Sequence, residues 1–519
     1  MEKCQIGGHI SKNDLKKIGR VDRITIGITM FCLRIIYGGL KMSNTAQSLA
    51  RGRIAALLDE NSFVEIGAAV TARATDFNMG STDTPSDGVV TGYGVINGGL
   101  VYVYSQDASV LGGSMGEMHA KKISRIYDMA MKMGAPIVGL IDCAGLRLQE
   151  ASDALNAFGE LYFKQALASG VVPQITAIFG SCGGGMAVAS AMSDFTFMES
   201  EKARLFVNSP NALEGNEISR CDTATAAFQS EEAGIVDVTA SEPELISKLR
   251  ELISLLPSNN EDDLSYMDCE DDLNRVCDGL EVSAGDPAIA LSMLSDSGLF
   301  FEVKKDYAKD MVTGFIRLNG NTVGAVANRT VLYDEEGNKA EEFKAELSAR
   351  GCDKAARFVK FCDAFNIPVL TLTNASGFKA SKCTEKKIAK AAAALTYAFA
   401  NASVPKVNVV TGKAYGSAYA IMNSKGLGAD FVYAWPKAEI GMMDATLAAK
   451  IMYAGADAKE LKEKASEYAN LQNNIASAAK RGYVDTVIDP QDTRKYVIGA
   501  FEMLYTKREG RPDKKHGTV

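Results

Sequence analysis

The chain has 519 residues, 47% of them hydrophobic and 23% charged, a length for two domains and the composition of an ordinary soluble globular protein. Its net charge of −8 argues against nucleic acid as a ligand, and its ten cysteines form no Cys-x-x-Cys pair and no zinc-ligand spacing. The three histidines, His9, His119 and His516, leave almost no material for a Ser-His-Asp triad or a histidine metal site, and no metal is expected.

Residues 1–41 carry eight lysines and arginines against Glu2, Asp14 and Asp22. The apolar run Ile24 to Leu40 is shorter than the ~20 residues of a membrane span, Arg34 interrupts it, and no clean signal-peptide cleavage site follows. Met42-Ser43-Asn44-Thr45 reads as a natural start, so residues 1–41 are expected to derive from an upstream start codon and to belong to no domain. Ser48 to Glu65 predicts a short helix and a turn. Val89 to Ile96 turns through Asn97-Gly98 into Leu100 to Tyr104, a hairpin. Helix His119–Met133, strand Ala135–Ile141, helix Leu155–Ser169, strand Gln174–Phe179 and a helix from Cys182 follow, a rhythm that implies parallel strands with right-handed crossovers. The polar, acidic stretch 259–284 reads as a linker between domains at 42–258 and 285–519. The second domain repeats the rhythm: Val323–Asn328, Lys354–Phe365, Pro368–Thr373, Lys406–Thr411 and Tyr415–Asn423. The charged tail 507–515 is expected to be disordered or to face a partner.

One pattern occurs twice. Thr91-Gly92 and Asn97-Gly98 recur as Thr313-Gly314 and Asn319-Gly320. Lys122, Arg125, Pro136, Pro173, Gly180 and Gly184 recur as Lys354, Arg357, Pro368, Pro405, Gly412 and Gly416, each 232 residues on (354 − 122), and Asp194-Phe195 answers Asp430-Phe431. A register held over that distance predicts an internally duplicated α/β domain.

The chemistry is expected at the repeated glycine loops, Gly180 to Ala187 and Gly412 to Tyr419. Each follows an apolar strand and opens a helix, where glycines let backbone N–H groups approach a ligand and the helix end adds positive potential. Two such donors aimed at one carbonyl oxygen make an oxyanion hole. Tight strand–helix packing alone explains a single loop of this kind; two at one offset favour function. Neither loop ends in Gly-Lys-Ser/Thr, so neither is a Walker loop.

Here the chain resembles the carboxyltransferase subunit of biotin-dependent acyl-CoA carboxylases and decarboxylases, the family of the propionyl-CoA carboxylase β subunit and the methylmalonyl-CoA decarboxylase α subunit. The resemblance runs from about Ala46 nearly to the C-terminus. It is carried by Ser105-Gln106-Asp107, Gly112-Gly113-Ser114, Arg147-Leu148-Gln149-Glu150, Ser169 to Gln174, Phe361 to Pro368, Lys413 to Gly416, and Tyr433 to Pro436 with Ala438-Glu439-Ile440. It implies two tandem crotonase-like (ClpP/crotonase) β-β-α superhelical domains, acyl-CoA on the first and biotin on the second domain of a neighbouring subunit. Carboxyl would move between biotin N1 and the carbon α to the thioester, one hole serving the enolate and the other the ureido oxygen, with no side-chain base. The resemblance assigns Gly184 and Gly185 to the first hole and Ser417 and Ala418 to the second. It assigns Gly183, Gly416, Gly377, Phe378, Tyr415 and Ala420 to ligand binding. Ser417 stands where the family has glycine, and serves if its φ suits a non-glycine residue. Ala420 lies where the family varies with acyl-chain preference. The implied partners are a biotin carboxyl carrier protein and either a biotin carboxylase subunit or a sodium-pumping membrane decarboxylase subunit, in a homo-oligomer, dimer or hexamer. Scattered thiols suggest a cytoplasmic protein, membrane-associated only through a partner.

Some residues invite over-reading. Ala130-Met131-Lys132-Met133 matches the tetrapeptide that biotin ligases modify, but its place in an amphipathic helix makes Lys132 a solvated residue. Met129, Met131 and Met133 read as helix packing. Asp107 and Glu117 read as turn and helix-start residues, and Cys182 lacks a histidine partner. The family's Pro-Gly-Phe-Leu-Pro-Gly is here Ser376 to Ser381, followed by a lysine-rich stretch and the alanine-rich Ala389 to Leu395 in place of an Arg-His pair. The lost prolines are expected to loosen this loop. Asp142 to Leu146 also departs from the family's Gly-Gly-Ala. These changes keep two alternatives open: a non-catalytic scaffold subunit, and a crotonase-like acyl-CoA hydratase or hydrolase.

Overall fold

The computed structural model describes residues 48–73, 76–262 and 266–512; the expectation for residues 1–41 lies outside them. From Leu49 onward the chain is one compact unit built on two sheets. The first contains β1 (Val64–Glu65), β2 (Val89–Ile96), β3 (Gly99–Gln106), β4 (Ile137–Cys143), β5 (Gln174–Gly183), β6 (Phe195–Glu199), β7 (Arg204–Phe206) and β8 (Val238–Ala240). The second contains β9 (Phe300–Val303), β10 (Met311–Leu318), β11 (Asn321–Asn328), β15 (Val369–Ala375), β17 (Lys406–Tyr415), β18 (Phe431–Ala434), β19 (Glu439–Gly441) and β20 (Thr486–Val487). The strand orders are the same: β1-β2-β3-β4-β5-β6-β8 with β7 beside β5, and β9-β10-β11-β15-β17-β18-β20 with β19 beside β17. Each sheet opens with an antiparallel hairpin and is parallel thereafter. Short strands β12 (Val331–Tyr333), β13 (Lys339–Glu342), β14 (Glu346–Leu347) and β16 (Gly377–Phe378) lie between β11 and β17.

The duplicated residues are the ones this topology needs. Asn97 and Gly98 have φ of 49° and 83°, and Asn319 and Gly320 of 50° and 75°, the double left-handed turn of a two-residue hairpin. A Cβ on Gly92 would strike the Val64 carbonyl, and one on Gly314 the Phe301 carbonyl, so both glycines admit the neighbouring edge strand. The Gln174 N–H donates to Asp194 Oδ2 at 2.8 Å while the Asp194 N–H donates to the Gln174 carbonyl, and Asp430 does the same for Lys406. Lys122 Nζ donates to Ser86 O, Ser86 Oγ and Val89 O, and Lys354 Nζ to Lys304 O and Tyr307 O, each amine tying a helix to the strand-entry loop beneath it.

The two halves share a core. Phe195 stacks edge-on against Phe361 at 4.7 Å and against Phe315 at 6.0 Å. Arg357 donates to the Ser193 and Asp194 carbonyls, and Lys304 pairs with Asp237 at 3.1 Å. The stretch read as a linker is packed onto the second half. Tyr266 bridges Asn321, Met267 N–H donates to Gly320 O at 3.0 Å, and Arg275 reaches the Met293 and Ser295 carbonyls. The start of the tail is docked as well: Lys507 pairs with Asp430 at 2.8 Å and Arg511 donates to Asn401 O at 3.0 Å. Helices open earlier than expected at Glu117, Ala151 and Ala349, but later after the two glycine loops. Strands β5 and β17 run on to Gly183 and Tyr415, so the helices begin at Gly185 and Gly416 rather than at Cys182 and Tyr415. Among the described residues no helix is long and apolar enough to cross a membrane, and no group of three His, Cys, Asp or Glu side chains converges to hold a metal ion.

Candidate active site

Both glycine loops lie at the C-terminal ends of central parallel strands, where α/β sheets open a crevice. Each is braced by a side chain from the preceding strand, also 232 residues apart (374 − 142). Asp142 accepts the Ser181 N–H at 3.3 Å, and Asn374 accepts the Lys413 N–H at 3.0 Å. These braces explain Gly180 and Gly412, whose Cβ atoms would fall on the Asp142 carboxylate and on Asn374 Oδ1 (2.7 Å). The braces are held in turn by Gln106, which accepts the Asp142 N–H at 3.3 Å, and Asn328, which accepts the Asn374 N–H at 3.1 Å.

In the first loop, Gly184 has φ 59° and ψ −123°, a conformation for glycine, and caps the helix Gly185–Ala191. Its N–H is committed to Phe206 O at 2.9 Å, which corrects its expected role as a free donor. Gly185 and Met186, in the first turn, have no intrahelical acceptor for their N–H groups. Tyr162 Oη donates to Gly185 O at 2.8 Å and fills the space a Cβ would take, holding the peptide in place. Gly183 sits under the Phe206 ring, 3.1 Å from a would-be Cβ. The loop after β4 joins this site: Cys143, the last residue of β4, lies in register with Cys182 of β5, both as free thiols, and Gly145 at φ 110° faces the Gly183 carbonyl. Arg147, fully buried, is bound by Asp87 at 2.5 Å and Glu150 at 2.8 Å and clamps that loop.

In the second loop, Gly416 has φ 56°, with Met442 O 3.1 Å from a would-be Cβ. Ser417 and Ala418 form the first turn of the helix Gly416–Ile421. Ser417 is exposed and is not among the residues with positive φ, so its N–H is presented without strain; Ala418 is buried. Tyr415, an extended residue at the cap, donates its buried hydroxyl to the Glu439 carboxylate on β19, and burial together with that carboxylate pushes the phenol pKa up. Gly377-Phe378 form β16, paired in parallel with Glu346-Leu347. Ser376 N–H donates to Ala345 O at 2.6 Å and Lys379 N–H to Leu347 O at 2.9 Å, while Ser381 caps the helix Lys382–Glu385. The expected loosening is therefore opposed by backbone bonds on both sides of Phe378. Ala420 is exposed on the helix.

Neither Cys182 nor His119 serves as a side-chain base at the first loop. Burial pushes the Cys182 thiol up to about 12 and lowers His119 to about 3, leaving both neutral. Asp107 accepts the Ser109 N–H and hydroxyl in a turn, and Glu117 opens the helix Glu117–Met133, paired with Lys121 at 2.6 Å. Lys132 is exposed in the last turn of that helix, not on a hairpin tip. Asp142, Arg147, Glu150 and Glu439 entered the sequence reading only as residues compared with the family; that Asp142 and Asn374 brace the loops, that Tyr162 and Glu439 anchor them and that Asp87 pairs with Arg147 was not foreseen.

Residues 43–519 match the carboxyl transferase domain family. The chain is 41% identical over 497 residues to the methylmalonyl-CoA decarboxylase subunit alpha of Propionigenium modestum, covering 92% of this chain and 94% of that one. It is 41% identical over 484 residues to the propionyl-CoA carboxylase beta chain of Roseobacter denitrificans, covering 91% and 93%. Among solved structures, the transcarboxylase 12S hexamer with hydrolysed methylmalonyl-coenzyme A bound superposes with a TM-score of 0.85 at 36% identity, covering 95% of this chain and 98% of that one. Duplicated crotonase-type sheets, paired glycine loops and full-length similarity agree, and the chain belongs to the carboxyl transferase family.

Proposed function

We propose that this chain moves a carboxyl group between biotin, borne on a separate carrier, and the α carbon of an acyl-CoA, with a methylmalonyl-CoA-type thioester as substrate. The observation that carries this reading is the pair of braced loops, each presenting first-turn N–H groups at the end of a parallel strand. Gly185 N–H in the first loop meets the thioester oxygen as charge develops there during cleavage or formation of the bond between the α carbon and the carboxyl. Ser417 and Ala418 N–H meet the ureido oxygen. Biotin, when bound, supplies the nitrogen that takes up or releases the carboxyl. The second loop suits a flat, uncharged ring system: Phe378 is partly exposed, Ala420 is small, and Ser417 keeps helical backbone. With Cys182 and His119 buried and neutral and Asp142 engaged in bracing the loop, proton transfer falls to the co-substrate.

A second copy is part of this reading. Leu155, Phe163 and Leu167 are exposed on the helix Ala151–Ala168, and Leu447, Ile451 and Met452 on the helix Ala445–Met452, apolar faces of the kind that oligomers cover. The outer partners are a biotin carboxyl carrier and either a biotin carboxylase or a sodium-pumping membrane decarboxylase subunit. The test is transfer of labelled carboxyl from methylmalonyl-CoA or malonyl-CoA to free biotin by the purified chain. Transfer is expected; its absence with every short acyl-CoA would leave a scaffold.

A further inference from the structure

The segment after the fourth strand of the repeat is treated oppositely in the two halves. In the first half it turns inward, with Arg147 buried between Asp87 and Glu150. In the second, at the same offset (379 − 147), Lys379 is exposed, and exposed Lys382, Lys386, Lys387 and Lys390 follow it with Glu385 the one acid among them. Some surface lysines of this half are ion-paired, as Lys339 with Glu342 at 2.8 Å and Lys437 with Glu281 at 2.8 Å; among the described residues none of these five, gathered in one short stretch, has such a partner. Asp353 feels Lys387 and Lys390 only through space. Lys386, Lys387 and Lys390 crowd the N-terminal end of the 14-residue helix Ile388–Asn401, whose first turn holds no acid. Cations there oppose the helix dipole, so they are not placed for the helix's own stability. They flank the second glycine loop: Ala375, just before this segment, pairs with Ala414, and β16 packs against the helix Gly416–Ile421. In a chain of net charge −8 such a patch stands against the overall field.

We propose that this lysine surface docks an acidic face of the carrier domain that delivers biotin to Ser417, an inference that rests on the carboxyltransferase reading above. An acidic face laid on it pairs the lysines, relieves the wrong-signed helix end and steers encounter toward the second loop. The phosphates of the coenzyme are the other anions at hand, but the patch borders the second loop and not the first, where the thioester is proposed to bind.

The test compares the wild type with K382E/K386E/K387E and the milder K382Q/K386Q/K387Q, circular dichroism verifying the fold. The probe is a biotinylated carrier domain of a methylmalonyl-CoA decarboxylase, chosen for a negative surface. Binding is measured by surface plasmon resonance, independently of turnover, and labelled carboxyl transfer is followed to the carrier and to free biotin. Charge reversal is expected to weaken carrier binding by about tenfold or more, and neutralisation by less. Wild-type affinity is expected to fall as salt rises, with transfer to free biotin unchanged. Carrier affinity that is equal in all three proteins and flat in salt overturns the proposal, and transfer to free biotin then leaves the carboxyltransferase reading standing. A raised KM for acyl-CoA with carrier affinity intact also overturns it and assigns the patch to the coenzyme. Salt-sensitive, lysine-dependent carrier binding by a wild type that transfers to neither acceptor supports docking and refutes the transfer reading instead.

Discussion

Ser417→Pro isolates the backbone donor of the second loop. Ser417 is the second residue of the helix Gly416–Ile421, and its N–H has no intrahelical acceptor. Proline is tolerated in a first turn because the hydrogen it lacks is unbonded there and its φ is helical, and the exposed Ser417 side chain has room for the ring. The variant is therefore expected to fold, with a lower Tm than wild type serving as the measure of any strain the ring adds. Removing one oxyanion-hole donor costs roughly 2.7–4 kcal/mol of transition-state stabilisation, about 10²–10³ in kcat. Ser417→Ala and Ser417→Gly keep the N–H and are expected to keep most of the activity. The assay is carboxyl transfer to free biotin, with thermal unfolding as the control. Full activity in Ser417→Pro, or a loss in Ser417→Ala as large as in Ser417→Pro, would refute a backbone hole at this position.

Two further outcomes follow from the geometry. Gly184→Ala adds a methyl group with no atom within 4 Å, so its cost is the backbone strain at φ 59° and ψ −123°, about 1–3 kcal/mol. A lowered Tm with a raised KM for acyl-CoA and an unchanged KM for free biotin is expected, and a Tm equal to wild type would show that the loop relaxes. Lys354 is lowered from 10.5 to about 7, chiefly by burial. Between those pH values the unfolded chain holds a proton that the folded chain does not, so the wild type loses stability as pH falls from 10.5 to 7, by roughly 4–5 kcal/mol at most, and the penalty is constant below. Lys354→Met lacks that slope. Urea unfolding at pH 7 and pH 9.5 should show the variant gaining on wild type at the lower pH, and a difference independent of pH would exclude the burial effect.

The repeat was legible in the sequence because it is made of residues whose roles are local. Asn97-Gly98 and Asn319-Gly320 declare hairpins, and Gly180, Gly184, Gly412 and Gly416 mark places where a side chain would clash or strain the backbone. Hydrophobic runs located the central strands and helices around each glycine loop, but left elements such as Glu242–Leu255, Ala458–Tyr468 and Thr493–Met503 unassigned. Helix starts at Gly185 and Gly416 were missed because β5 and β17 are prolonged by pairing with β7 and β19, and strand pairing has no local signal. The acidic stretch 259–284 read as a linker because polar composition says nothing of the partners that Arg275 and Met267 find on the second half.

The site divides in the same way. Sequence alone determined that two glycine loops exist, that they correspond, and that histidine and thiol chemistry is scarce. Only the tertiary structure decided which N–H groups are free. Phe206 takes the Gly184 hydrogen, and Ser417 lies in a helical turn and keeps its own. It also decided that Asp142 and Asn374, far from the loops in sequence, brace them, that Tyr415 leans on Glu439, and that Lys379 faces outward where its counterpart Arg147 folds in. The reason is physical: a backbone donor's availability and a charge's pairing depend on neighbours brought together by strand pairing and helix packing, and no local pattern of residues encodes them.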